Sequence, residues 1–197
     1  MRGVGRPVDV LQGVYPPGED TYILQDAIDA YPADTLLDMG CGSGYISLNL
    51  LDSVRRIVAL DIQYNAVVNT YQNLLKHNNF FKASVAQSDL FQAVSPSAKF
   101  SLIAFNPPYL PADDEATSMD PALVGGIQGV EVSKSFLDQC VRHMIPHGRV
   151  YLVASNLSNI EFLRETMEEN GLRSEIVAEE SLFFEKLVVL KGVLEGK

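Results

Sequence analysis

The feature that most constrains this 197-residue chain is an alternation of short apolar runs with stretches of helical periodicity. Thr35 to Met39, Ile57 to Leu60, Ala83 to Ala86, Phe100 to Phe105 and Val150 to Ala154 are brief and mostly apolar, as strands covered on both faces are. Between them apolar residues recur three or four apart. Helical character runs from Asp20 to Ala30, then at Ile46, Leu50 and Leu51, and at Val67, Tyr71, Leu74 and Leu75. It returns at Val132, Phe136, Cys140 and Met144, and at Ile160, Leu163 and Met167, behind a Ser158-x-x-Glu161 capping box and ahead of Gly171. Strand–helix repetition predicts parallel strands joined by covering helices. Arg173 to Ala178 and Phe183 to Lys191 have no helix between them and read as an antiparallel pair. The expected fold is α/β: a doubly wound, mostly parallel seven-stranded sheet with a C-terminal antiparallel hairpin. Residues 1–197 form one domain, with 1–13 as an N-terminal extension and Leu110 to Gly129 as loop.

Charge narrows the function. Fifteen Lys and Arg stand against 25 Asp and Glu, a net −10, and gripping a nucleic-acid backbone needs a basic footprint instead. No run approaches the roughly 18 apolar residues of a membrane span, and the first residues lack a signal-peptide core. Cys41 and Cys140 are far apart, form no C-x-x-C pair and read as reduced thiols of a cytoplasmic protein. No metal site is expected. His143 and His147 are four apart, but Pro146 interrupts the helix between them, which leaves a solvent-facing helix end.

Gly40-Cys41-Gly42-Ser43-Gly44 stands where the first strand hands over to a helix. Free N–H groups at a helix start, beyond the C-terminal ends of parallel strands, form a ligand crevice. A dinucleotide fingerprint would have a third glycine at 45, where this chain has Tyr45, and no P-loop lysine follows. Asp61 ends the second strand, placed to accept from both hydroxyls of a ribose. Asp89 follows the third and could accept from an adenine amine. Asp38 lies beneath the glycine loop, within reach of a ligand ammonium. Asp61 and Asp89 could instead merely cap the segments that follow. Three acidic strand ends converging on one crevice favour a ligand. A nucleoside bearing an amino acid, S-adenosylmethionine, fits better than a dinucleotide.

Asn106-Pro107-Pro108-Tyr109 follows the fourth strand directly. A planar –NH₂ group is a weak nucleophile because its lone pair is delocalised. The Asn106 side-chain oxygen and the Pro107 carbonyl can each accept one of its N–H bonds. Proline fixes φ and stiffens that presentation. With both hydrogens held, the lone pair faces the sulfonium methyl, and catalysis is orientation plus electrostatics. The Tyr109 ring can stack on the flat acceptor and favours a nearby cation. The bland alternative is a rigid turn closing a strand; its pairing with the glycine loop in one crevice favours chemistry.

These motifs resemble the class I S-adenosylmethionine-dependent methyltransferases of the N-P-P-Y group, and within it the archaeal and eukaryotic branch of the HemK-like release-factor glutamine methyltransferases. The likeness extends to Val14-Tyr15-Pro16-Pro17-Gly18-Glu19-Asp20-Thr21, to Gly125-Gly126 with Gly129, and to Leu182-Phe183-Phe184-Glu185-Lys186-Leu187. One departure stands before the paired glycines: the chain contains no tryptophan and has Leu123-Val124 there. The resemblance implies a Rossmann-like methyltransferase fold. It implies that Thr21, Asp38, Gly40, Asp61, Asp89 and Leu90 contact the cofactor, alongside Gly42, Gly44 and Asn106, and that Asn106, Pro107, Pro108 and Tyr109 hold the substrate amide. It further implies a translation release factor as substrate, methylated in its Gly-Gly-Gln loop, and a small zinc-binding activator as heterodimer partner. Phe80-Phe81 could belong to that docking surface or pack in the core.

Two other readings fit the same motifs. One is an adenine amino-methyltransferase acting on DNA or RNA, since N-P-P-Y serves planar amines of either kind. The other is a non-catalytic subunit of the same fold, although such subunits tend to lose one of the two motifs. The acidic residues Asp113, Asp114, Glu115 and Asp120 favour a protein substrate over a phosphate backbone.

Overall fold

The computed structural model describes residues 5–109 and 130–196. Helix α1 (Glu19–Ala27) precedes strand β1 (Thr35–Met39), followed by α2 (Tyr45–Leu50), β2 (Arg56–Asp61), α3 (Tyr64–Leu75), β3 (Ala83–Gln87) and β4 (Phe100–Phe105). Then come α4 (Glu131–Cys140), β5 (Met144–Ser155), α5 (Ile160–Glu169), β6 (Leu172–Ser181) and β7 (Lys186–Leu194). The seven strands lie in the order β3-β2-β1-β4-β5-β7-β6. All neighbours are parallel except β7, which runs antiparallel to both β5 and β6. This is the expected doubly wound sheet with its terminal hairpin, and β7 inserts between β5 and the β6 edge.

Period-two alternation divides each central strand between two cores. Leu37, Ile103, Val150 and Leu152 join Phe136, Leu137 and Cys140 of α4 and Leu163 and Met167 of α5. Leu36, Ile57, Leu102 and Val153 join Ile23 and Leu24 of α1, Ile46 and Leu48 of α2, and Leu74 of α3. Each fully buried side chain of this kind contributes about 1.5–3 kcal/mol of transfer free energy. Two covered faces explain why the strands read as apolar runs rather than alternating ones. Among the described residues no helix is long and apolar enough to cross a membrane.

Several local expectations are corrected. Met144 is the first residue of β5, not a helical position, because a 3-10 turn over Val141–His143 ends the helix. His143 faces inward: it is buried, stacked on Phe91 at 4.8 Å, with Nδ1 3.2 Å from the Ala98 carbonyl. The cap of α5 is Asn159, whose Oδ1 accepts from Phe162 N, while the Ser158 hydroxyl donates to Ser155 O. Phe183 and Phe184 lie in the β6–β7 turn, and β7 begins at Lys186.

The face of α3 is the larger surprise. Its inward side carries Asn69, Thr70 and Asn73, so Tyr71 and Leu75 point outward and are exposed. The asparagines act as surrogate backbone. Asn69 Oδ1 accepts from Leu11 N and Asn73 Oδ1 from Asp9 N, while both side-chain amides donate to Asp9 O. Residues 5–13 are therefore strapped along α2 and α3, with Arg6 also paired to Asp52 and Lys76 to Asp9. That strap delivers Tyr15 to the C-terminal edge of the sheet.

Candidate active site

Strand order reverses between β1 and β4, so the loops after them diverge and leave a crevice. Met39 pairs with Phe105 and with Leu60, which puts Gly40, Asn106 and Asp61 level at its floor. A cavity of about 520 Å³ opens there, within the roughly 300–1,000 Å³ of small-molecule sites. Every expected site residue except Gly44 lines it: Thr21, Asp38, Gly40, Gly42, Asp61, Asp89, Leu90, Asn106, Pro107, Pro108 and Tyr109.

Gly44 works from behind. Its φ is +83°, and a Cβ there would lie 3.0 Å from Thr70 Cα, so the glycine lets α2 start tight against α3. Thr70 Oγ1 lies 3.0 Å from Gly42 O, and Asn73 Nδ2 donates to Ser43 O at 2.9 Å. Two polar residues of α3 thus hold the glycine loop. Neither was expected from sequence; the signal was a run of Asn and Thr inside an otherwise apolar helical period.

The three carboxylates differ in environment. Asp61 Oδ2 accepts from Gly42 N at 2.9 Å and its Oδ1 from Gln63 N at 2.8 Å. The capping reading holds, and the caps leave each oxygen a second lone pair with which to accept from a ligand. Burial raises the Asp61 pKa above the usual carboxylate range. Asp38 is fully enclosed; its Oδ2 accepts from Ser47 N and Oγ, and burial pushes its pKa up to about 7 despite those bonds. Asp89 is exposed and touches Gln92 Nε2 at 3.1 Å. Its loop is organised by Ser88, whose hydroxyl donates to Leu90 O and accepts from Ala93 N. Leu90 has φ +44°, a left-handed geometry that a leucine adopts only under constraint and that clusters at ligand sites.

Beside these stands Asp20, unassigned by sequence reasoning. It is buried in the first turn of α1. Its Oδ1 accepts from Thr21 N at 2.6 Å, and its Oδ2 accepts from Tyr15 Oη at 3.0 Å and Asn106 Nδ2 at 3.0 Å, with Tyr109 Oη at 3.5 Å. Asn106 Oδ1 is left buried with no hydrogen-bond partner among the described residues. A buried unmet acceptor costs roughly 1–3 kcal/mol, so it marks a place for a donor. The Tyr15 and Tyr109 phenols are both pushed upward by burial and by the Asp20 charge, so they remain neutral donors.

The donor set suits S-adenosylmethionine. Asp38, Asp61 and Asp89 bring three carboxylate acceptors to one cavity, the kind of group that an ammonium, ribose hydroxyls and an adenine amine need. Cys41 also lines the cavity, but burial raises its thiol well above the usual value, so it is no nucleophile. Asp113, Asp114, Glu115, Asp120 and Gly125-Gly126 lie outside the described residues.

Comparison with known proteins follows this geometry. The family model for the methyltransferase small domain matches residues 17–184. A protein of Methanocaldococcus jannaschii, provisionally named a protein N5-glutamine methyltransferase, is 32% identical over 184 residues, covering 91% of each chain. Human methyltransferase HEMK2 is 29% identical over 201 residues, covering 95% of this chain and 92% of its own. Among solved structures, the E. cuniculi Mtq2–Trm112 complex, described as responsible for methylating the termination factor eRF1, aligns with a TM-score of 0.73 at 25% identity. It covers 93% of this chain and 100% of its own.

Proposed function

The chain belongs to the methyltransferase small domain family, and from that premise we propose that it methylates the side-chain amide nitrogen of a glutamine in a translation release factor. S-adenosylmethionine, when bound, supplies the methyl group as a sulfonium electrophile. The observation that carries the reading is the lone, buried Asn106 Oδ1, turned toward the cavity because Asp20 holds the amide's other end.

The chain's own part is geometric. Asn106 Oδ1 and the Pro107 carbonyl accept the two N–H bonds of the substrate amide. That fixes its plane and directs the nitrogen's π density at the methyl carbon. The proton shed by the nitrogen after transfer is acidic enough to leave without a dedicated base. Tyr109 and Tyr15 wall the slot, both anchored to Asp20. Asp38 answers the ammonium of the cofactor, Asp61 its ribose, and Asp89 with the Leu90 turn its adenine. Thr21 Oγ1 accepts from Gly18 N and donates to Asp20 Oδ1, closing the first turn of α1 around the Asp20 carboxylate.

A small zinc-binding activator is the partner that fits the opposite sheet edge. Among the described residues β3 pairs only with β2, and beside it Tyr64, Tyr71, Leu75 and Phe80 are exposed, as is Phe81 at 73%. An uncovered strand edge flanked by aromatics favours a covering protein. The Mtq2 relative was solved as a complex with Trm112. With a translation release factor as its substrate, the enzyme would act in the cytoplasm.

Intact-mass and fragment analysis of release factor after incubation with enzyme and S-adenosylmethionine tests this. One added methyl on a glutamine of the Gly-Gly-Gln loop is expected. Methyl found only on adenine of added nucleic acid overturns the substrate assignment.

A further inference from the structure

The turn joining β6 to β7 departs from hairpin chemistry. Ser181 pairs with Lys186, and Leu182 N donates to Glu185 O at 2.7 Å, which leaves Phe183 and Phe184 as the two tip residues. Two-residue hairpins favour Gly, Asn or Asp at positions of positive φ. Here both are phenylalanine, neither has positive φ, and they are 93% and 85% exposed. Their rings pack only edge-on against each other, with centroids 4.6 Å apart. Folding gains little from such a pair, because both rings stay in water as they do in the unfolded chain.

The base of the tip is nonetheless pinned by hydrogen bonds, on the sheet edge that carries the pocket. Ser155 Oγ donates to Glu185 Oε2 at 2.8 Å, Asn156 N to Lys186 O at 3.0 Å, and Lys186 N to Asn156 Oδ1 at 2.6 Å. Phe105, the residue before the Asn106-Pro107-Pro108-Tyr109 segment, pairs with Leu152, three residues before Ser155. Both features therefore project from the same edge of the sheet. Leu182 packs into the same core as Tyr109, and the Glu185 charge reaches the Tyr109 and Tyr15 phenols. Leu157, on the segment that pins the tip, is also exposed. Across residues 179–186 three glutamates stand against one lysine.

We propose that Phe183 and Phe184 are a docking platform for the methyl-accepting protein, seating an apolar side chain flanked by basic residues next to the residue that enters the pocket. The proposal rests on the reading of the site as a protein methyltransferase. A preordered aromatic pair at the mouth loses little conformational freedom on binding, and aromatic anchors of this kind dominate interface energies.

The test uses the full chain co-expressed with its small partner, comparing wild type with the double substitution Phe183→Ser, Phe184→Ser. Both residues are exposed, so the fold and the calorimetric affinity for S-adenosylmethionine are expected to be unchanged. KM for intact release factor is expected to rise about tenfold, with kcat within about twofold. KM for a short Gly-Gly-Gln peptide, which fills only the pocket, is expected to stay constant. An unchanged KM for intact protein overturns the platform, as does an equal rise for the peptide, which would mean a distorted pocket. Loss of the small partner, or of a self-association seen by sedimentation of the wild type in the ultracentrifuge, assigns the pair to another occupant and also overturns it. A wild-type enzyme that labels no release factor removes the underlying substrate reading, a result visible before the variant is compared.

Discussion

The Asp20 carboxylate accepts a hydrogen bond from Asn106 Nδ2 at 3.0 Å across 86 residues of chain. This contact selects which end of the asparagine amide faces the substrate. With the –NH₂ end committed to a carboxylate, only the carbonyl end remains for the cavity, and a carbonyl is what an incoming –NH₂ requires. The same carboxylate gathers both phenols of the slot, so one buried charge orients three side chains.

Replacing Asn106 by alanine removes the amide acceptor while leaving Asp38, Asp61 and the glycine loop intact. Calorimetry is expected to show S-adenosylmethionine binding within a fewfold of wild type. Methyl transfer, followed with labelled cofactor, is expected to fall by about 100-fold or more, the scale of losing an orienting contact. Turnover near wild type would remove the amide clamp from the mechanism.

Asp20→Asn tests the orienting role separately. The new side chain presents an –NH₂ that competes with Asn106 Nδ2, or an oxygen without the charge. A fall in kcat of about 10–100-fold is expected, with little change in cofactor affinity. If KM alone moves, Asp20 serves binding rather than orientation.

The raised Asp38 carboxyl gives cofactor binding a pH dependence. With its pKa up to about 7 in the free protein, acidification neutralises the group proposed to meet the ammonium. Affinity is expected to weaken by about fivefold to tenfold between pH 7.5 and pH 6. Asp38→Asn is expected to bind weakly at both values, which separates this group from Asp61, also raised by burial. For stability the sign is opposite. The folded state holds the Asp38 proton more tightly than the unfolded chain does, so this group's contribution is lost as pH rises from about 4 to about 7. Thermal melts of the ligand-free protein across that window, against the Asn variant, measure it.

At the other end of the sheet, Arg149 pairs with Asp34 at 2.6 Å, donates to Asp29 O at 2.9 Å and lies 4.6 Å from the Tyr31 ring centroid. Asp34 also accepts from Ser101 Oγ and Tyr31 N. Both partners are largely buried, so Arg149→Ala strands a carboxylate and is expected to cost about 3–5 kcal/mol by denaturant unfolding. Cofactor affinity below the melting transition is expected to be unaffected. A large loss of affinity would couple the two ends of the sheet.

Much of the fold was legible because its signals are local. Apolar runs such as Phe100 to Phe105 announce strands covered on both faces, and Gly40 to Gly44 announces the turn into α2. The place of Asn106 to Tyr109 in the crevice was legible for the same reason, since four consecutive residues carry the motif. Boundaries failed where neighbours overrode propensity. Met144 continues a helical spacing, yet it pairs with Phe100 in the sheet. On α3, Tyr71 and Leu75 look like the inward face of a helix, but the ligand loop and the N-terminal strap need hydrogen bonds, so Asn69, Thr70 and Asn73 turn inward instead.

The sequence alone indicated the layer architecture, a crevice beyond the C-terminal strand ends, and most of the residues that line it, because periodicity and short motifs are properties of neighbouring positions. Only the tertiary structure decided that the strand order reverses between β1 and β4, that Asp20 orients Asn106, that α3 keeps its polar face inside, and that Phe183 and Phe184 stand exposed on the sheet edge that also carries Asn106. Each of these depends on groups brought together from distant parts of the chain. A hydrogen bond's partner and an aromatic ring's exposure are set by what packs beside them, and that is decided when the sheet closes.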